Sequence, residues 1–367
     1  MTFSPDQEEL RRYVRAWLDE RAPLEEVRRI METEAGFEPG HWKELAELGW
    51  LAMNLPEDQG GAGYGFMEIA VVGEEMGRTL YPSPYLATVV MGASLVAAEG
   101  TPDQKAEILG GVAAGDQTLA VAFTEPGSDW AKDGFLTTAR PEGEGWSLSG
   151  SKSFVLDGHT ADTLIVAATT DDGTGLFLVD GDADGVTRER LDVMDLTRPL
   201  ATLEFDKAPA VRLGGEEASP ALAAVLDRAV AFVAMEQVGG AQACLDMSVD
   251  YAKTRHQFGR AIGSFQAIKH MCADMLVAVE SAKSAAYHLA SAFDRDPDEV
   301  AMAARLAKSY CSEAFYRCAA DTIQIHGGIG FTWEHNAHLY FKRAKSSELL
   351  FGDPVEHRQR LADLLEI

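Results

Sequence analysis

Apolar residues recur along the chain in three different rhythms. Up to about residue 116 they fall at helical spacing, as in Leu10, Val14, Trp17 and Leu18. Ser4-Pro5-Asp6-Gln7 supplies a start signal: a serine N-cap, proline at the first helical position and glutamine at the third. A second helix is predicted over about Pro39–Leu48, ending before Gly49-Trp50, and a third over Phe66–Met76. The glycine-rich run Gln59–Gly65 between them lacks the GxGxxG spacing and follows no strand, so it reads as a structural turn. From Leu119 the pattern shortens to apolar, β-branched runs separated by Gly, Asp and Pro: Leu119–Phe123, Trp146–Leu148, Leu164–Ala168, Gly175–Val179 and Ala201–Phe205. No long helical pattern interrupts them, which predicts an antiparallel β domain rather than βαβ units. After Gly214-Gly215 the helical rhythm returns over Pro220–Thr254, Ser264–Phe293 and Pro297–Ile325, rich in small and aliphatic residues. The expected organisation is α+β: a helical domain (1–116), a middle antiparallel β domain (117–215) and a C-terminal bundle of long antiparallel helices (216–367).

Composition narrows the function classes. The 367 residues carry a formal net charge of −26, which repels a phosphate backbone and argues against general nucleic-acid binding. No apolar run reaches the roughly 18–20 residues of a membrane span; Ala221–Met235 comes nearest but contains Asp227 and Arg228. The acidic N-terminus lacks the basic-then-apolar order of a signal peptide. Cys244, Cys272, Cys311 and Cys318 form no CxxC pair and lie in helical sequence, as expected of reduced core thiols in a cytoplasmic protein.

Four stretches carry candidate chemistry. Val121–Asp129 offers backbone N–H groups and the Thr124 and Ser128 hydroxyls to an anion or a heterocycle edge, or simply closes a domain boundary. Gly150–Gly158 places Phe154 in mid-strand, where an aromatic either stacks on a ring or fills the core. Thr254–Arg260 puts two guanidinium groups beside a glycine break, suited to a pyrophosphate or to a helix C-terminus. Gln324–Phe331 has glycines that permit close backbone approach or end a helix; His326 has no metal-spaced partner.

In order along the chain these stretches resemble the acyl-CoA dehydrogenase family. The likeness rests on Thr124-Glu125-Pro126-Gly127-Ser128-Asp129; Lys152–Gly158; Arg255-x-x-Phe258-Gly259 with Phe265-Gln266-x-Ile268-x-His270-x-x-Ala273-Asp274-Met275; and Gln324-Ile325-His326-Gly327-Gly328-x-Gly330-Phe331. Pro56-Glu57-x-x-Gly60-Gly61 and Glu74-Glu75-Met76-Gly77 are similar to that family too. The resemblance implies a four-helix C-terminal bundle, a tetramer, FAD as cofactor and an acyl-CoA substrate. It also implies electron transfer to an electron-transfer flavoprotein. It assigns Phe123, Thr124, Phe154, Val155 and Leu156 to the flavin ring, and Ser128 to the pyrophosphate or CoA arm. Arg255, Gln257, Phe258, Gln266, Gln324, Gly327 and Gly328 are assigned to FAD of a neighbouring subunit, and Asp227, like Ser128, to substrate. In the reaction so implied, a carboxylate removes the α-proton of the thioester as a β-hydride passes to the flavin, giving a 2-enoyl-CoA.

The chain departs from the family pattern at the base. Phe351 stands before Gly352 where a glutamate is usual, and the alternative position on the first bundle helix is Ala229. The 124–129 turn is two residues short, and Phe154 and Leu156 replace the commoner Trp and Thr. Three accounts remain open. The chain is one subunit of a heteromer whose homologous partner supplies the glutamate, as its likeness to actinobacterial steroid-CoA dehydrogenase subunits implies. Alternatively a homo-oligomer uses Asp353 or Glu236, whose bland readings are an N-cap before Pro354 and a buried helix-packing acid. Lastly, the chain is a non-catalytic flavin-binding or structural subunit.

Overall fold

The Ser4 signal is realised as a reciprocal cap: Ser4 Oγ accepts the Gln7 N–H (3.2 Å) and Gln7 Oε1 accepts the Ser4 N–H (2.9 Å). In the computed structural model, which describes residues 3–127, 134–215 and 219–367, this cap opens α1 (Pro5–Arg21). There follow α2 (Leu24–Met31), α3 (Pro39–Glu47), α4 (Phe66–Thr79), a π-helical stretch Leu86–Ala93 running into α5 (Ser94–Glu99), and α6 (Pro102–Ala113). The strands are β1 (Leu119–Ala122), β2 (Thr138–Glu142), β3 (Gly145–Leu156), β4 (Thr163–Thr170), β5 (Gly173–Asp180), β6 (Val186–Arg190) and β7 (Leu200–Arg212). The remainder is α7 (Ser219–Thr254), a short hairpin of β8 (His256–Gln257) and β9 (Arg260–Ala261), α8 (Gln266–Arg295), α9 (Val300–His326), α10 (Ala337–Leu349) and α11 (Pro354–Leu364). The helix–strand–helix order matches the rhythm of the sequence. Two strands escape that rhythm, because Thr-Ala-Arg-Pro-Glu and Val-Thr-Arg-Glu-Arg are too polar to register as apolar runs.

Contacts group the chain into two units: residues 29–64 with 82–229, and residues 1–28 with 65–81 and 230–367. The block 1–116 is thus shared between units. In the first of these the seven described strands form one sheet, ordered β1-β4-β2-β3-β7-β5, with β6 on β7 and a further β4–β5 pairing that closes it. The pairing is antiparallel as expected, save that β1 runs parallel to β4 (Leu119 opposite Thr163 through Ala122 opposite Val166) and β2 meets β4 in parallel at one residue pair. The β2–β3 excursion between β1 and β4 provides the long connection a parallel pair requires. Leu148, Leu164, Val166, Phe177, Leu203 and Phe205 fill the interior.

One buried ion pair fixes the end of β1 against β3. Lys152 Nζ donates to Glu125 Oε1 (2.9 Å), which also accepts the Thr137 N–H (2.8 Å), while Oε2 accepts the Leu136 N–H (2.7 Å). The ammonium lies 4.1 Å over the Phe135 ring. Burial acts to raise the Glu125 carboxyl, but the Leu136 N–H, Lys152 and Thr137 overcome it and hold the group at about 2. Burial brings Lys152 down to about 8 against the pull of Glu125.

In the helical unit α8 and α9 run antiparallel, since Cys311 Sγ meets Ala282 O and Cys318 Sγ meets Met275 O. Helix α7 runs the same way as α9, joined by Gln237 Nε2 to Ser312 Oγ (3.0 Å) and Ser248 Oγ to Thr322 Oγ1 (3.0 Å). Cys244, Cys311 and Cys318 are buried, whereas Cys272 is partly exposed and so departs from the expected core thiol. Helix α4 crosses α7 at van der Waals contact of the backbones. A Cβ on Gly239 would lie 1.9 Å from Glu74 O, and one on Gly77 would lie 2.1 Å from Glu236 O. The next polar layer is ionic: Arg11 Nη2 donates to Glu74 Oε2 (2.6 Å), Tyr287 Oη donates to the same oxygen (2.8 Å), and Arg15 grips Glu75 through two N–H groups (2.9 and 2.7 Å).

Gly239→Ala is expected to lower stability by about 2 kcal/mol or more, because backbone rather than a flexible side chain occupies the space. Gly110→Ala, in the exposed interior of α6 with open space around it, should instead raise stability by roughly 0.5–1 kcal/mol; urea midpoints check both. The stabilisation supplied by Glu125 is complete above its unfolded value near 4.5 and is lost as pH falls toward about 2. The difference in urea midpoint between wild type and Glu125→Gln should therefore be largest above pH 4.5 and shrink on acidification through that window.

Candidate functional site

In the β-containing unit, the residues expected to meet a flavin cluster where β1 ends. Phe123 and Thr124 are buried immediately after the strand, and Thr124 O accepts the Ser153 N–H (2.9 Å). Between Lys152 and Val155 the ladder with β7 is interrupted by a bulge, within which Phe154 adopts φ +56° and is 47% exposed. The bulge turns this ring out of the strand register, so of the two readings of a mid-strand aromatic it is not the core one that holds. Val155 and Leu156 return to the buried side. Beside them Ser153 Oγ is buried and has no hydrogen-bond partner. An exposed ring next to an orphan hydroxyl fits a planar heterocycle with a polar edge, and so fits a flavin. Ser128 lies outside the described residues, and Asp227 is half-buried on α7.

The helical unit carries the second set. Arg255 precedes and Gln257 belongs to the β8–β9 hairpin, whose tip, Phe258 (φ +53°) and Gly259 (φ +75°), is a two-residue turn with both φ positive. Phe258 is 91% exposed and meets Phe265 edge-on (6.1 Å between centroids); the Arg260 guanidinium stacks 4.1 Å over Phe265. Arg255, Gln257, Gln266 and, at the end of α9, Gln324, Gly327 and Gly328 are all exposed. In a chain of charge −26 these guanidinium and amide groups are exposed donors of the kind that suits phosphate oxygens. The His326 ring stacks on Tyr251 (4.2 Å between centroids) and lies 4.4 Å from the His335 ring, and no group of three or more ligand-type side chains among the described residues is arranged to hold a metal.

The positions where a base is usual offer none. Phe351 is buried at φ +62° and Ala229 is fully buried. Asp353 is the N-cap of α11: its Oδ1 accepts the Val355 and Glu356 N–H groups (2.8 and 2.9 Å), and Glu356 answers from Oε2. Glu236 is buried and faces Arg343 Nη1 at 3.4 Å. Both acids occupy the structural roles that their sequence context allowed.

Three participants were not singled out from sequence. Lys308 is buried on α9 and donates from Nζ to Glu348 O (3.0 Å), Gly352 O (3.0 Å) and Ser312 Oγ (3.2 Å). His357 is buried on α11, its Nε2 3.0 Å from Phe351 O. Burial first, and the Lys308 charge second, push His357 down to about 3, so it is neutral and donates that hydrogen bond from Nε2–H. The signal for Lys308 was present: a lysine on the helix face of Ala304, Ser312 and Phe315 has no place in an apolar stripe without a partner. Ser153, within a quoted stretch, gave no such signal.

The comparisons with known proteins accord with this geometry. Three family descriptions match in succession: acyl-CoA dehydrogenase N-terminal domain over residues 4–116, middle domain over 120–208 and C-terminal domain over 221–364. The chain is 36% identical to acyl-CoA dehydrogenase IpdE2 of Mycolicibacterium smegmatis over 362 residues, 98% of both chains. It is 30% identical to the bovine mitochondrial short-chain specific acyl-CoA dehydrogenase, over 88% of this chain and 81% of that protein. Among solved structures it is similar to the Tcur3481–Tcur3483 steroid acyl-CoA dehydrogenase (TM-score 0.89, 35% identity, 98% of each chain). It is also similar to the ChsE4–ChsE5 complex of Mycobacterium tuberculosis (TM-score 0.90, 29% identity, 100% of this chain and 98% of that one). The chain belongs to the acyl-CoA dehydrogenase family of FAD-dependent oxidoreductases.

Proposed function

We propose that this chain is the FAD-binding subunit of a heteromeric acyl-CoA dehydrogenase that desaturates a bulky, steroid-type acyl-CoA, with the catalytic glutamate supplied by a homologous partner subunit. One observation carries the reading. Phenylalanine and alanine fill the two positions where a base is usual, and the two nearby acids are committed to a helix cap and an ion pair. The two-protein composition of the ChsE4–ChsE5 and Tcur3481–Tcur3483 assemblies, the second described as a steroid enzyme, supports it.

The partner's carboxylate takes the α-proton, the β-hydrogen leaves with its electron pair, and a carbon–carbon double bond forms. FAD, when bound, supplies the acceptor for that hydride, and an electron-transfer flavoprotein then takes up the electrons. This chain's residues bind and orient. Phe154, with Val155 and Leu156 behind it, faces the ring system; Thr124 and Ser153 offer polar contacts to its edge. Arg255, Gln257, Gln266 and Gln324 offer donors to phosphates and ribose of a cofactor seated on the neighbouring subunit. Asp227 and Ser128 are the proposed contacts to substrate.

Purified alone with FAD, the chain should show acyl-CoA oxidation at least about 10²-fold below that of the complex formed on co-expression with a glutamate-bearing homologue, the scale of a lost general base. Full activity of the isolated chain would contradict the proposal. Asp353→Asn in the complex should leave turnover within about twofold, because Asn also serves as an N-cap; abolished turnover with FAD retained would instead favour the local acid.

A further inference from the structure

Residue 351 is held more firmly than a pocket-filling phenylalanine requires. A bulky side chain at φ +62° is strained, and such a conformation persists only where the surroundings over-determine it. Here they do. The carbonyl of Phe351 accepts from His357 Nε2–H on α11 (3.0 Å), and that of Gly352 accepts from Lys308 Nζ on α9 (3.0 Å). Lys308 also ties down Glu348 O at the end of α10. Its third donor goes to Ser312 Oγ, which in turn accepts from Gln237 on α7. The Gly352 N–H donates to Leu349 O (3.3 Å), and Asp353 locks the far side as the N-cap. Gly352 at φ +104° has a backbone that a side chain would strain and little space beside it, with Glu356 Oε2 and His357 Nε2 3.1–3.2 Å from where a Cβ would stand. Side chains from α9 and α11 thus converge on one turn, and the two that grip its carbonyls, Lys308 and His357, are polar groups buried at the cost of their hydration.

Resting on the dehydrogenase reading above, we propose that this turn is a preorganised but disarmed base site. Lys308 and His357 are positioning residues that hold residue 351 where a proton acceptor belongs, and only the side chain is missing. The clamp acts on main-chain carbonyls, so it is indifferent to which side chain residue 351 carries. Phe351→Glu is then sufficient to confer proton abstraction on this chain, with Lys308 and His357 setting its efficiency.

The test uses the full-length FAD-loaded chain and octanoyl-CoA in D2O, at a concentration that perturbs the flavin absorbance. Mass spectrometry reads deuterium entering the α-carbon. The step balances without an oxidant: the α-proton passes to the introduced carboxylate and a solvent deuteron returns to carbon. Wild type should exchange at the buffer rate, and Phe351→Glu at least tenfold faster with an acid limb in its pH profile. Phe351→Glu/Lys308→Met and Phe351→Glu/His357→Phe should each lose tenfold or more of that gain while retaining FAD. A folded, FAD-loaded Phe351→Glu that exchanges no faster than wild type, or double variants that exchange as fast as the single one, overturns the proposal. If Phe351→Glu does not fold, amide hydrogen exchange over residues 346–357 decides in the wild-type background: a tenfold rise with Lys308→Met supports the clamp, and no change overturns it. Co-expression with the glutamate-bearing homologue separates the two readings. An active complex beside an inert Phe351→Glu removes this inference alone, whereas an inert complex removes the dehydrogenase reading.

Discussion

The helical unit is organised by the place where α4 and α7 touch backbone to backbone. Glycines at 77 and 239 remove the Cβ atoms that would hold the two helices apart, and the resulting approach buries α4 on nearly every side. Burial then dictates the rest. Glu74 and Glu75 lie in that buried helix and cannot remain uncompensated, so α1 contributes Arg11 and Arg15, α4 itself Arg78, and α8 the Tyr287 hydroxyl. At the other end Asp294 accepts the Phe66 N–H and fixes where α4 begins. A steric permission given by two glycines thereby becomes an electrostatic requirement satisfied by two other helices and by α4's own Arg78.

Much of this architecture was legible in the sequence because it rests on local signals. The three longest helices have few internal breakers, and Ser4-Pro5-Asp6-Gln7 encodes its own cap. The strands that bury an apolar face stood out as apolar runs. What escaped depends on partners distant in sequence. The parallel pairing of β1 with β4 is a choice made by the whole sheet, and β2 and β6 carry too little apolar side chain to advertise themselves. For the site, Phe351 and Ala229 at the positions the family resemblance gives to a base, and the exposed, donor-rich hairpin, could be read from residue identity. The clamp on residue 351 could not, because its acceptors are main-chain carbonyls, which every sequence has.

Seven non-glycine residues among those described adopt positive φ, and three are phenylalanines: 154, 258 and 351. Each falls in a stretch on which the family resemblance rests or from which it departs. A bulky residue is a poor choice for such a backbone, so in each case local geometry has been kept at some cost. The means differ. At 154 a β-bulge absorbs the irregularity, at 258 a hairpin tip with Gly259 completes the turn, and at 351 buried side chains grip the carbonyls. Precise placement of a group is compatible with all three, and only the last conceals it from solvent in the isolated chain.

Lys152 and Lys308 are both fully buried and both serve as hydrogen-bond anchors, one for a carboxylate and one for carbonyls. Thioesters are electrophiles, and lysine amines that meet them acquire acyl groups. A protein of a family that handles acyl-CoA keeps these two amines folded away from that chemistry, while exposed lysines such as Lys253 and Lys269 remain open to it. Slow chemical ageing in the presence of its own kind of ligand would therefore mark the surface first and leave the two structural lysines unmodified for as long as the fold persists.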